Sequence, residues 1–145
     1  MPIGINTGDG SIMFSGILDG KCHEIQNIYE NRTGIAGLVC RIGFATIKNL
    51  GLTGELIGTT HASSFGHQGG TLYNCYSTAK ISITNTALST NYAAGGLLTE
   101  GRKIINCYFN GQVSGTEASG LGINKNAINC YNSGVVSGSG GHPYS

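Results

Sequence analysis

Tryptophan is missing, proline occurs twice, and only 10% of the 145 residues are charged, for a net charge of +1. Eight scattered Lys and Arg residues do not build the basic stripe of a nucleic-acid binder. No apolar run reaches the roughly 18 residues of a membrane span. Residues 1–9 carry neither a basic n-region nor a continuous apolar stretch, so no secretory signal is expected there. At 39% hydrophobic residues, the chain also lies outside the composition of charged disordered tails. Glycine is frequent but not at every third position, which excludes a collagen-like helix.

What is abundant is small and polar. Gly, Ser, Thr and Asn together supply 64 of 145 residues. No segment holds an apolar stripe of helical period, and Gly every few residues penalises a helix. Short strands with Gly and Asn at the corners fit better, because both residues reach positive φ cheaply.

An internal repeat organises the chain. Ile104-Ile105-Asn106-Cys107-Tyr108-Phe109-Asn110-Gly111-Gln112-Val113-Ser114-Gly115 matches Ala127-Ile128-Asn129-Cys130-Tyr131-Asn132-Ser133-Gly134-Val135-Val136-Ser137-Gly138. Leu72-Tyr73-Asn74-Cys75-Tyr76 is an earlier copy; Ile47-Lys48-Asn49-Leu50 and Ile25-Gln26-Asn27-Ile28-Tyr29 are fainter ones. A second block, Ala36-Gly37-Leu38, Ala94-Gly95-Gly96-Leu97 and Ser119-Gly120-Leu121, alternates with the first. A constant core with a variable period is what insertions into a solenoid look like.

A strand of four or five residues cannot bury its own apolar face, but stacked coils about 4.8 Å apart can. The expected fold is therefore all-β: a parallel β-solenoid of about six irregular coils, forming one domain over residues 1–145 that reads as a module of a longer chain. Right-handed parallel crossovers make a right-handed winding the expectation. The expected inward columns are Ile25, Ile47, Leu72 and Ile104; Ile28, Leu50, Cys75, Cys107 and Cys130; Leu56, Ile81, Val113 and Val136; and Leu38, Leu97 and Leu121. The expected polar column is Asn27, Asn49, Asn74, Asn106 and Asn129. Tyr29, Tyr76, Tyr108 and Tyr131 stand beside it as a candidate ligand face.

The Asn-Cys-Tyr-x-x-Gly-x-Val-Ser-Gly signature following Gly-Gly-Leu resembles the GLUG-motif repeats of bacterial surface and adhesin-like proteins. Such repeats also occur in immunoglobulin-A-cleaving metallopeptidases. Phe14-Ser15-Gly16-Ile17-Leu18-Asp19-Gly20-Lys21-Cys22-His23-Glu24-Ile25-Gln26-Asn27-Ile28-Tyr29 is similar to the segment preceding them. The resemblance spans about residues 14 to 138. Cys22 and Cys40 stand where Gly is usual, and Ser64-Phe65-Gly66 departs from Gly-Gly-Leu. The resemblance implies a parallel β-solenoid in an extracellular or cell-surface setting, and says nothing of activity.

No residue is nominated for catalysis, cofactor binding or metal ligation. The five cysteines are widely spaced without a Cys-x-x-Cys pair, which opposes zinc. A column that accepts Ile, Leu or Cys is a core position where thiols act as small hydrophobes; on that reading Cys107→Val is nearly silent. His23-Glu24-Ile25-Gln26-Asn27 lacks the second histidine of a zinc-protease helix. His61 and His67 flank a Ser-rich stretch expected to be a solvated loop within 57–71, with 83–93 as a second long loop. The seven carboxylates share no repeat column, which opposes a glycosidase pair and calcium. The expected function is a non-enzymatic structural or interaction module with adhesion as its role. The alternative is a carbohydrate-binding or polysaccharide-cleaving β-helix. Expected partners are a host or cell-surface glycan or protein, with end-to-end self-association of the rod as a further candidate.

Overall fold

The computed structural model describes residues 3, 13–85, 92–124 and 126–139. It is a parallel β-solenoid: every named strand pair is parallel. The first coil contains β1 (Ile17–Asn31), β2 (Ile35–Ala36) and β3 (Val39–Arg41). The second contains β4 (Thr46–Gly58), β5 (His61–Ser63) and β6 (Gly66–His67). The third contains β7 (Thr71–Ser77), β8 (Lys80–Ile83), β9 (Ala93–Gly95) and β10 (Glu100–Gly101). The fourth contains β11 (Lys103–Ile105), β12 (Tyr108–Phe109), β13 (Gln112–Gly115), β14 (Glu117–Ser119) and β15 (Ile123–Asn124). Strands β16 (Ala127–Ile128), β17 (Tyr131–Asn132) and β18 (Val135–Gly138) begin a fifth. The rod thus has about four turns, not six.

Three main faces stack along the axis, alongside the short separate pairs β3–β6 and β10–β15. The first runs β1, β4, β7, β11 with β12, and β16 with β17. The second runs through the later halves of β1 and β4, then β8, β13 and β18. The third runs β2, β5, β9, β14. Alternate residues point inward, so the core is a set of columns: Ile47, Leu72 and Ile104 are fully buried, as are Leu56, Ile81 and Val113. Val136 packs against this core from the last coil. Leu38 and Leu97 are buried and Leu121 packs beside them. Phe65, the departure from Gly-Gly-Leu, is itself fully buried. Each fully buried aliphatic side chain contributes about 1.5–3 kcal/mol.

The first coil departs from the expected phase. Strand β1 slips twice against β4, between Asp19 and His23 and between Ile25 and Ile28. Leu18, not Ile25, lies opposite Ile47, and His23, not Ile28, lies opposite Leu50. Ile25 is 37% exposed. The bulges place Lys21, Cys22 and Asn27 at positive φ. An extra residue in a bulge shifts everything after it along the strand, and that moves the Ile25–Tyr29 motif out of register with its copies.

Candidate functional site

The Asn-Cys-Tyr repeat builds three adjacent ladders on the first face. Asn49, Asn74, Asn106 and Asn129 all sit at φ of 51–52°, in the left-handed region that Asn tolerates better than most residues. Their amides hydrogen-bond head to tail. Asn129 Nδ2 donates to Asn106 Oδ1 at 2.8 Å, Asn106 to Asn74 at 3.2 Å, and Asn74 to Asn49 at 3.2 Å. Asn49 Nδ2 donates to Asp19 Oδ1 at 3.1 Å. A carboxylate thus terminates the ladder in the first coil. Asn27, expected in this column, lies opposite neither Asn49 nor its neighbours; its backbone N–H donates to Thr53 Oγ1 at 3.2 Å.

Asp19 also accepts from the Lys21 backbone N–H and faces the ammonium groups of Lys21 and Lys48. The Lys21 N–H and the Asn49 amide hold its carboxyl down at about 2. Hydrogen bonds to the charged form are the dominant cause.

One residue on, the thiol ladder turns inward. Backbone pairing skips the Asn column, passing from Lys48–Tyr73 to Leu50–Cys75. The N–H after Asn49, Asn74 and Asn106 is satisfied by sulfur instead. Leu50 N–H donates to Cys75, Cys75 N–H to Cys107 Sγ at 3.4 Å, and Cys107 N–H to Cys130 Sγ at 3.4 Å. The thiols of Cys107 and Cys130 donate in turn to the carbonyls of Ile105 and Ile128. This is the physical reason for cysteine in the column: the side chain must be apolar and an acceptor at once. The apolar reading of the column missed the acceptor role, because Leu50 needs no such role in a rung where it only donates. All five cysteines are free thiols. Hydrogen bonding to Cys75 and burial hold the Cys107 thiol well above its ordinary value, and burial pushes Cys130 up. Thiolate, the reactive form, is thereby suppressed at Cys107 and Cys130. Ile28 lies outside this column, opposite Gly54.

The tyrosine ladder faces outward. Tyr76 and Tyr108 stack with centroids 5.0 Å apart, and Tyr108 and Tyr131 at 5.3 Å, with planes within 7°. Because the rings stack on one another, their faces are used inside the column, and the rod presents ring edges and hydroxyls. Only the end ring, Tyr131, at 57% exposed, offers a face. Below Tyr76 the column continues as Gly51, where a Cβ would fall 2.3 Å from the Tyr76 ring. This gap lets the Tyr76 hydroxyl bond Glu24, whose backbone pairs with Gly51 from the first coil. Tyr29 is separate from the stack: it pairs with Glu55 on the second face and is 68% exposed.

Beyond the tyrosines, the corner between the first and second faces forms an open groove of about 370 Å³. Thr78, Asn110 and Ser133 line one wall; Lys80, Gln112 and Val135 line the other. Gly111 and Gly134 leave its floor bare. A Cβ on Gly111 would meet the Ala79 carbonyl at 2.0 Å, and one on Gly134 the Gly111 carbonyl at 2.5 Å. Glycine is therefore required at this corner in the fourth and fifth coils, whereas the third carries Ala79 at the same place.

The histidines expected in a solvated loop are packed on the opposite side. The 57–71 segment is largely strand, and His67 is only 4% exposed. The His61 and His67 rings lie 4.0 Å apart, and His67 Nδ1 lies 2.6 Å from Thr99 Oγ1. Burial, His61 and Arg41 push His67 down to about 3; burial and Arg41 lower His61 as well. Both are neutral structural groups at physiological pH. Of the other expected loop, 83–93, residues 86–91 lie outside the described residues.

Among the described residues no group of three His, Cys, Asp or Glu side chains is placed to hold a metal ion, and no helix is long and apolar enough to cross a membrane. Comparison with family models, curated proteins and solved structures returned no match.

Proposed function

We propose that the chain is a non-enzymatic presentation module of a bacterial cell-surface or secreted protein, with adhesion as its role. The observation that supports this most directly is the continuity of the ladders across unequal repeats. Successive ladder asparagines are 25, 32 and 23 residues apart, yet each rung keeps the same amide hydrogen bond. Extra residues are absorbed elsewhere in the coil while the frame stays constant. A frame that tolerates insertions without changing register is suited to displaying variable segments, and recognition is commonly carried by such segments on rigid scaffolds. The likeness of Asn-Cys-Tyr-x-x-Gly-x-Val-Ser-Gly to GLUG-motif repeats supports the extracellular setting.

The test is location. In fractionated source cells, an antibody against this segment is expected to find it in the envelope or the medium. A pool confined to the cytosol would overturn the surface assignment.

A second reading, carbohydrate binding, is favoured by the corner groove, whose walls repeat hydroxyl and amide side chains from coil to coil.

A further inference from the structure

We propose that the corner groove binds a neutral, linear glycan laid along the rod axis, a proposal that rests on the reading of the chain as a presentation module. Its lining comes from successive coils: Gly54 from the second, Thr78 and Lys80 from the third, Asn110 and Gln112 from the fourth, Ser133 and Val135 from the start of the fifth. The groove therefore runs across the strands, parallel to the stack.

Three features select the ligand class. The first is the hydrogen-bonding pattern. Side chains of Thr78, Asn110 and Ser133 present donors and acceptors once per coil on one wall; on the other, Gln112 presents both and the Lys80 ammonium donates only. A rise of about 4.8 Å per coil is comparable to the advance per sugar of an extended glycan. A polymer of hydroxyl-bearing units thus meets the same chemistry at each step.

The second is charge. The Lys80 ammonium is bound to Glu55 Oε1 at 2.8 Å, so the cation on the wall is already neutralised. An acidic polysaccharide would have to break that pair.

The third is the backbone. The strands at the groove are paired to their neighbours: β8 to β4 and β13, and β13 to β18. Along the side of the rod a peptide seeking to add a strand finds both edges of β8 and β13 taken, and could pair only at the end, on β18. The bare glycine floor offers it no apolar anchor pocket either.

The tyrosines extend the site. Tyr76, Tyr108 and Tyr131 each precede a wall residue by two positions, on the same side of an extended chain. Their hydroxyls add a parallel row, and the exposed face of Tyr131 forms a platform for a sugar ring at the end of the groove.

The test is an NMR titration of the isotope-labelled chain. The probes are linear oligosaccharides of glucose, mannose, galactose and N-acetylglucosamine, with oligogalacturonate as the acidic comparator. At least one neutral probe is expected to shift the amides of Thr78, Asn110, Gly111, Ser133 and Gly134. The exposed double substitution Asn110→Ala with Gln112→Ala is expected to weaken it about tenfold or more, the equivalent of one or two hydrogen bonds. Ser133→Trp, which fills the groove, is expected to abolish it. Lys48→Ala, on another column, is expected to leave it unchanged, and the unperturbed spectrum of each variant verifies its fold. Tighter binding of oligogalacturonate would overturn the neutral assignment. Shifts confined to another face would overturn the groove while leaving the presentation reading standing. No shift with any probe would overturn glycan binding, and the presentation reading would then be decided by cellular location alone.

Discussion

The backbone N–H of Cys75 donates to the sulfur of Cys107 one coil above, at 3.4 Å, and both residues are buried. The relationship makes cysteine in this column a hydrogen-bonding residue as well as a core one.

Cys107→Val is therefore expected to be costly, although it keeps an apolar side chain of similar size. It strands the Cys75 N–H without its acceptor, at about 1–3 kcal/mol. Urea unfolding gives the cost, and hydrogen exchange at the Cys75 amide gives its cause. A variant as stable as the parent, with that amide still protected, would show that the sulfur contact carries no weight.

The asparagine ladder separates backbone from side-chain effects. Asn74→Ala loses two exposed amide hydrogen bonds and forces alanine to φ near 52°. Asn74→Gly loses the same bonds without the conformational cost. Alanine is expected to be the less stable variant by about 1–2 kcal/mol, the cost of the left-handed region for a residue with a Cβ. Equal melting of the two would mean that the corner relaxes when the amide is removed.

Acid should weaken the rod in two windows. His67 has a folded value of about 3, below the ordinary value near 6.5. The unfolded chain then binds the extra proton, so stability is full above about 6.5 and is lost as pH falls towards 3, by a few kcal/mol. Asp19, held at about 2, adds a second loss that begins near the ordinary carboxylate value and ends near 2. His67→Gln is expected to shrink the upper window and leave the lower one, with His61, which burial also lowers, carrying what remains of the upper slope. An upper slope unchanged in His67→Gln would show that His67 is not the group responsible.

Gly111→Ala tests the corner. Its Cβ would meet the Ala79 carbonyl rather than a side chain that can swing away, so the coils must separate. Overpacking of this kind costs about 1–3 kcal/mol. Chemical denaturation checks it, and an unchanged midpoint would show that the corner has slack.

The solenoid and most of its columns were readable because the Ile-x-Asn-Cys-Tyr copies repeat both spacing and side-chain type. Asn49, Asn74, Asn106 and Asn129 form one ladder for that reason. Asn27, Ile28 and Tyr29 carry the same motif letters but stand elsewhere, because two bulges in β1 consume residues that no local pattern reveals. The termination of the ladder by Asp19 was hidden with them. His61 and His67 read as loop because Ser and Gly surround them; in the fold they lie on β5 and β6, where His67 is buried and His61 half-buried. The repeat alignment already sets Asn110 against Ser133, but Thr78, Asn110 and Ser133 share no residue type, so nothing in the sequence marked their column as the wall of a groove.

The ladder bonds join residues 23 to 32 apart, with none nearer. No coil can therefore complete its asparagine rung until a neighbouring coil is in place. Closing such loops costs entropy before any rung forms. Assembly should start slowly, at one pair of coils, and then advance rung by rung like a zip. Unravelling should begin at an end, where a coil is held from one side only.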